Sequence, residues 1–154
     1  MTNPRLVLGF LAIFLLAGCG NPTRNNINGE WRAALTPTQS GSAMSMTFDF
    51  STATDGTVTG SVSGITGDNG CLSGLGTPNT SYGKTAGANG PVYAFLFTAQ
   101  TQNPSTPTGI TLSGQLVDGK ITGTWSMGGT FAQLQCNDSG NFVMEAVPTP
   151  FLPR

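Results

Sequence analysis

Residues 43–63 read AMSMTFDFSTATDGTVTGSVS, and the pattern of this stretch predicts the fold class. In residues 43–50 the apolar side chains occupy every second position: Met44, Met46, Phe48 and Phe50. The same alternation returns in residues 58–63, after the turn pair Asp55-Gly56. A period of two gives a strand one apolar face and one polar face, as in antiparallel sheets. We therefore predict two antiparallel strands joined in a hairpin.

Strand-like segments continue along the chain. Further segments that read as strands are residues 27–35, 92–99, 110–117, 121–127, 130–136 and 141–147. Residues 92–99 are apolar on both faces and should form the most enclosed strand. Residues 68–90 are rich in glycine, asparagine, threonine and serine, which favours a long loop with a short strand near Tyr82. Helical periodicity is absent and glycine is frequent, so we predict an all-β chain of about eight antiparallel strands.

The low content of charged residues helps to predict whether the sheet closes on itself. Only 8% of the residues are charged, whereas exposed edge strands are usually protected by charged side chains. Closing the sheet on itself removes its edges, so we predict an up-and-down β-barrel, with a two-sheet β-sandwich as the alternative. The predicted domain spans residues 27–147 and is followed by a proline-rich tail at residues 148–154.

The hairpin sequence DGTVTGSVS at residues 55–63 is echoed by DGKITGTWS at residues 118–126. An Asp-Gly pair between two alternating strands is typical of a type I′ turn. Each copy is followed by a cysteine at a similar distance, Cys71 after the first and Cys136 after the second. Two explanations fit. Either the chain contains a duplicated half-domain whose disulfide joins equivalent points, or two unrelated hairpins have become similar in sequence because the protein is rich in glycine and threonine.

The Gly-x-Trp strands, which contain Trp31 and Trp125, and the Gly-x-[Ile/Val]-Thr-Gly hairpins resemble those of avidin and lipocalin-type calycin barrels. This resemblance is architectural and implies an up-and-down barrel. Avidin's ligand-binding pattern is not matched, so biotin binding is not implied. Glycines on the apolar face leave room beside both tryptophans, either for neighbouring side chains or for a ligand in the barrel interior.

The N-terminal residues are predicted to form a targeting signal. Residues 6–17 form an apolar run, preceded by the basic side chain of Arg5. A helix of this length spans roughly 18 Å, which is too short for a bilayer core of about 30 Å. The length fits the h-region of a signal peptide, so residues 1–18 are predicted to be removed from the mature protein.

The apolar run ends in Leu16-Ala17-Gly18-Cys19, which resembles the lipobox of bacterial lipoproteins. The resemblance implies a diacylglycerol thioether on Cys19, cleavage before it and N-acylation, for example with palmitate. Residues 20 and 21 include no aspartate, which by the same resemblance implies the outer membrane. Residues 19–26 then form a lipidated tether that holds the domain close to the cell envelope. A soluble secreted protein cut nearby and a plain membrane anchor are the alternatives.

Once Cys19 carries lipid, Cys71 and Cys136 remain. Export to an oxidising compartment makes a disulfide between them the expected outcome. Closing a loop of this length contributes about 4 kcal/mol in the chain-entropy model. We predict no metal site at these cysteines, because two thiols without histidine leave a tetrahedral site half empty.

Composition argues against several function classes. The chain contains no histidine, which excludes histidine general bases and Ser-His-Asp triads. Six Lys and Arg residues and a net charge of -1 argue against nucleic-acid binding. Ser81 and Lys84 match the Ser-x-x-Lys pattern of penicillin-interacting enzymes. Glycines at and after position 83 prevent the helix that this chemistry needs.

Carboxylates and oxygen-rich loops are the remaining chemical candidates. The seven acidic residues are Glu30, Asp49, Asp55, Asp68, Asp118, Asp138 and Glu145. Their spacing demonstrates no pair facing each other across a cleft, so a small carboxylate-dependent hydrolase stays a third hypothesis. Residues 68–70 and 137–141 are rich in oxygen ligands, but they lack the alternating acids of calcium loops.

These observations predict a non-enzymatic binding or structural module, lipid-anchored at the bacterial cell envelope and without a cofactor. If it holds a small apolar ligand, the ligand should contact Trp31 and Trp125 in the barrel interior. The alternative is an envelope protein-interaction or assembly factor with a filled core, in which both tryptophans are core residues.

Overall fold

The computed structural model describes residues 27–38, 43–67, 70–88, 90–102, 108–131 and 134–148. Within these ranges the chain forms β-strands and no helix. The strands are β1 (Gly29–Pro37), β2 (Met44–Thr52), β3 (Val58–Thr66), β4 (Asn79–Gly87), β5 (Gly90–Gln100), β6 (Thr108–Val117), β7 (Lys120–Phe131), β8 (Leu134–Gln135) and β9 (Asp138–Ala146).

All the main strands belong to one antiparallel sheet, with the order β3-β2-β1-β9-β7-β6-β5-β4 and the short β8 paired to β7. The sheet is a meander curled into a half-barrel. The all-β, antiparallel prediction is therefore confirmed, and the alternative of two packed sheets is not the arrangement seen. The outermost strands β3 and β4 lie beside each other, but no ladder of hydrogen bonds joins them in the described ranges.

The strand order agrees with the duplication hypothesis, as it would for any eight-stranded meander. If β3 and β4 are counted as neighbours, the main strands form a closed ring. Exchanging β1 with β5, β2 with β6, β3 with β7 and β4 with β9 leaves the order of strands around this ring unchanged. The two similar hairpins are then equivalent, since one joins β2 to β3 and the other joins β6 to β7. By the same exchange, the unpaired boundary between β3 and β4 corresponds to the hydrogen-bonded ladder between β7 and β9.

One face of the sheet is buried, as the period-two patterns predicted. In β2 the alternate residues from Met44 to Phe50 are at most 4% exposed, whereas Asp49 faces solvent. The apolar faces predicted for β1, β3 and β7 also point into this core. The fully buried large side chains include Trp31, Leu35, Phe48, Phe97, Ile110, Leu112, Trp125 and Phe142.

Aromatic rings fill the middle of this core. The ring centroids of Phe48 and Phe97 lie 4.9 Å apart and those of Phe50 and Phe95 lie 5.7 Å apart, both edge to face. These contacts join β2 to β5, which are not neighbours in the sheet. Phe95 also lies 6.4 Å from Phe142 of β9. Side chains from opposite walls therefore meet in the interior.

Two facing glycines help the wall to curve. Gly114 of β6 is the register partner of Gly123 of β7. A Cβ atom on Gly123 would lie 2.0 Å from the Ser113 carbonyl oxygen, and one on Gly114 would lie 2.9 Å from the Phe142 ring. The pair lets the strands approach closely and leaves space for Phe142, as glycines at strand bends often do.

The two Asp-Gly turns differ. Asp118 and Gly119 have φ values of 51° and 77°, which confirms a type I′ turn between β6 and β7. The same prediction for Asp55-Gly56 is wrong, because only Gly56 has a positive φ. Residues 53–57 form a longer connection, in which the Asp55 carboxylate accepts a 2.8 Å hydrogen bond from the backbone N–H of Thr57.

Two other expectations need correction. Residues 79–87, placed in a long loop with a short strand, form the nine-residue strand β4, which pairs with β5 along its whole length. The strand over residues 92–99 is not enclosed on both faces, since Leu96 on its outer face is 45% exposed. In a single curled sheet no second layer covers that face.

The antiparallel order also sets the two ends of the half-barrel. The start of β1 and the end of β9 lie together, because these strands are paired antiparallel. We call this the terminal end; it also carries the connections at residues 53–57 and 118–119. The connections that follow β3 and β7 lie at the opposite end, where Cys71 and Cys136 form a disulfide with a Cα–Cα distance of 5.8 Å. This confirms the predicted pairing, and we call this end the disulfide end.

Candidate functional site

The two tryptophans lie in the core. Trp31 is 0% exposed and Trp125 is 2% exposed, and both belong to one continuous cluster of buried side chains. The Trp31 indole N–H donates a 2.8 Å hydrogen bond to the carbonyl oxygen of Ile27. A ligand would have to displace core side chains to reach either indole. The positions therefore suit the core-filling interpretation better than that of a cavity wall.

Some buried polar atoms of the inner face have no hydrogen-bond partner. They are Thr52 Oγ1, Thr80 Oγ1, Tyr82 OH, Thr108 Oγ1 and Trp125 Nε1. Register places them inward: Thr52 pairs with buried Val58, and Thr80 and Tyr82 pair with the core residues Phe97 and Phe95. Unpaired buried polar atoms are uncommon in folded proteins. Three of these five atoms lie on β2 and β4, close to the boundary where the sheet is not paired.

The side chain of Tyr82 is partly buried and has a raised pKa. Its ring stacks on that of Tyr93, with centroids 5.6 Å apart and planes at 17°. Burial raises the pKa of Tyr82 to about 12, and the charge of Tyr93 adds a smaller contribution in the same direction. The phenol is therefore neutral over the physiological range, and its O–H is available as a donor.

The raised pKa of Tyr82 predicts an alkaline loss of stability. Between pH 10 and about 12 the unfolded chain releases the Tyr82 proton while the folded chain keeps it. The unfolded state then binds fewer protons, so the free energy of unfolding falls as the pH rises through this window. In Tyr82→Phe we expect this fall to be shallower, as measured by urea unfolding at stepped pH. Parallel pH profiles for both proteins would contradict this assignment.

The disulfide end is closed by the connection between β3 and β4. Leu72, next to Cys71, is 2% exposed and packs in the core. The backbone N–H of Gly76 donates a 2.8 Å hydrogen bond to the carbonyl oxygen of Gln100, and Leu75 forms a bridge with Thr101. The disulfide thus holds a short cap over the interior.

The acidic side chains are dispersed over the surface. Of the described carboxylates, Asp138 is half-buried and the others are exposed. Glu145 forms an ion pair with Lys120 across β7 and β9. Hydrogen bonds from nearby backbone N–H groups occupy the carboxylates of Asp55 and Asp138. Among these residues there is no buried carboxyl group of the kind that a glycosidase acid requires.

The other chemical candidates are also separated. Ser81 and Lys84 are three residues apart on β4, so their side chains point to opposite faces of the sheet. Residues 68–69 of the first oxygen-rich loop lie outside the described residues. In the second loop, Asn137 Oδ1 accepts a hydrogen bond from the Gly129 N–H. The ranges that the structure covers contain no group of three potential metal ligands.

The outer face offers a different kind of site. A groove of about 460 Å³ crosses β2, β1 and β9, between the side chains of Arg32, Ala34, Ser45, Val143 and Glu145. Val143 is 42% exposed there, and Leu96 and Val117 are exposed elsewhere on the same face. Sequence reasoning identified neither this groove nor the unpaired edges of β3 and β4, because both depend on strand order.

No family model, curated protein or solved structure matches this chain. Cys19 and the lipobox lie outside the described residues. Within the described ranges, no helix has the length and hydropathy to cross a bilayer.

Proposed function

We propose that this protein is a lipid-anchored module of the bacterial cell envelope that acts without catalysis, by contacts of its outer surface with another envelope component. The filled interior carries this proposal. Phe48 and Phe97 touch across the half-barrel, and both tryptophans are enclosed. A core occupied by its own side chains leaves the outer face as the surface for recognition. This supports the interaction factor rather than a carrier of an apolar ligand.

The ends of the described chain support the anchoring part of the proposal. Residues 27 and 148 both lie at the terminal end, and residue 27 directly follows the proposed tether in the sequence. Residues 20–26 reach at most about 25 Å when fully extended. A lipid on Cys19 would therefore keep the terminal end near the membrane, and the disulfide end would point away from it.

A second candidate function is the binding of a small molecule at the inner face. The observation in its favour is the set of buried polar atoms without partners, Tyr82 OH and Thr80 Oγ1 among them. Through the side wall, a ligand that satisfied these groups would enter between β3 and β4, because hydrogen-bonded ladders join the other neighbouring strands of the sheet order. The aromatic contacts in the middle of the core limit the space for such a ligand.

The anchor is tested by replacing the proposed lipidation site. When the wild-type chain is produced in bacteria with labelled palmitate, we expect label on the protein and a mature chain that begins at residue 19. Cys19→Ala should carry no label, because the thioether that directs cleavage and N-acylation cannot form. Gly20→Ala keeps the cysteine and serves as the matched control. Label on Cys19→Ala, or a wild-type N-terminus at another position, would contradict the proposal.

A further inference from the structure

The two edges of the sheet overlap over only part of their lengths. The Oγ1 atom of Thr80, near the start of β4, lies 3.0 Å from the position that a Cβ on Gly60 would take. Gly60 is also near the start of its strand, β3. Because β3 and β4 run in opposite directions, the rest of β4 continues past the first residue of β3 toward the terminal end. The edge of β4 over residues 83–87 is therefore unpaired in the described part of the chain.

This free edge is exposed, and its one protective charge, that of Lys84, disfavours pairing with a cationic strand but not with a strand that carries a carboxylate. The side chains of Lys84, Thr85 and Ala86 are all exposed. Lys84 is the one charged residue of β4, and none of the described residues forms an ion pair with it. An edge strand presents unpaired N–H and C=O groups, which can pair with an extended segment of another chain.

The edge of β3 is less suited than the edge of β4 to pairing with a strand of another chain. Its register with β2 shifts between Thr47 and Phe48, where β3 carries a bulge. Bulges bend a strand and increase its twist, which protects an edge from further pairing. The free part of β4 has no such irregularity, since its pairing with β5 is continuous to Gly87.

We propose that residues 83–87 of β4 bind an extended segment of a partner protein by strand addition, and that this segment carries a carboxylate opposite Lys84. The proposal rests on the proposed function, in which contacts with another envelope component are the activity. The carboxylate follows from charge complementarity, because Lys84 is the cation of an otherwise uncharged edge and has no ion-pair partner among the described residues. A second copy of this chain fits less well, since antiparallel pairing of two β4 edges brings two Lys84 side chains near each other.

The test uses the protein purified from bacterial membranes in detergent, with ¹⁵N labelling. The probe is a seven-residue peptide of alternating threonine and valine around a central glutamate, compared with the same peptide around a central lysine. We expect the backbone amide signals of residues 83–87 to shift on addition of the glutamate peptide. The glutamate peptide should bind about five-fold more tightly than the lysine peptide, as opposite and like charges across strands predict.

Charge reversal makes the test specific. In Lys84→Glu the preference should reverse, so that the lysine peptide binds more tightly. Arg32→Glu is the matched control; Arg32 is exposed on β1, which is paired on both sides, and this variant should keep the wild-type preference. The proposal is overturned if neither peptide shifts residues 83–87, or if Lys84→Glu leaves the preference unchanged. Labelling of Cys19 is measured on the same preparation, so failure of the anchor and failure of the edge are distinguishable.

Discussion

The double variant Cys71→Ala/Cys136→Ala is expected to lose about 4 kcal/mol of unfolding free energy relative to the oxidised protein. The disulfide closes a separation of 65 residues, and this long loop restricts the unfolded chain strongly. It also holds the cap that inserts Leu72 into the core. The measurement is urea unfolding followed by tryptophan fluorescence, without reductant.

A reductant provides the control for this prediction. Wild-type protein unfolded in the presence of dithiothreitol should match the double variant, because both lack the crosslink. If the free energies of unfolding of the oxidised wild type and the double variant differ by less than about 1 kcal/mol, the crosslink adds little stability. Such a result would contradict the prediction, because removing a native disulfide typically costs more than this.

Phe48→Ala is the second variant with a large expected effect. Phe48 is fully buried, and its ring contacts Phe50 on the same strand and Phe97 on the opposite wall. Removing a buried phenylalanine ring costs about 3–5 kcal/mol through lost transfer free energy and the cavity left behind. We expect a loss in this range in urea unfolding at neutral pH.

The neighbouring residue offers a matched control for Phe48→Ala. Asp49 lies next in the same strand and points outward into solvent. Asp49→Ala should change the free energy of unfolding by less than about 0.5 kcal/mol, as surface substitutions usually do. Equal losses for the two variants would mean that the two faces of β2 are not distinguished by burial.

Alternation was enough to predict which face is buried in β1, β2, β3 and β7. Met46 and Phe48 point into the core while Asp49 faces solvent, because a strand turns successive side chains to opposite sides. The disulfide between Cys71 and Cys136 followed from counting the cysteines and from the expected compartment. Both inferences depend on local pattern or on composition, and these can be read from the sequence without knowledge of the tertiary fold.

Strand β4 was missed because its sequence lacks an apolar stripe. Residues 79–87 contain Tyr82 and Ala86 among glycine and polar residues, and their strand conformation depends on pairing with the apolar β5. The exposed outer face of Leu96 follows from the absence of a covering layer, which is a property of the tertiary fold. The differing Asp-Gly turns likewise depend on the registers of their flanking strands.

The candidate site was harder to predict than the fold. Lys84 attracted attention only as part of a Ser-x-x-Lys pattern, yet its relevant property is its place on a sheet edge. The long-range pairing of β1 with β9 determines which strands lie at the edges of the sheet. No local sequence pattern predicts this pairing. The unpartnered hydroxyl of Thr80, which lies beside Gly60 of β3, likewise depends on this long-range arrangement.

The filled interior is the basis of the proposed function, and the contact between Phe48 and Phe97 tests it most directly. Their ring centroids are 4.9 Å apart across the half-barrel, so nuclear Overhauser effects between the two sets of ring protons should be strong in the folded protein. That result would establish that opposite walls meet in the core. Absence of these cross-peaks, together with shifts of the inner-face signals under xenon pressure, would instead show a hollow interior and contradict the account.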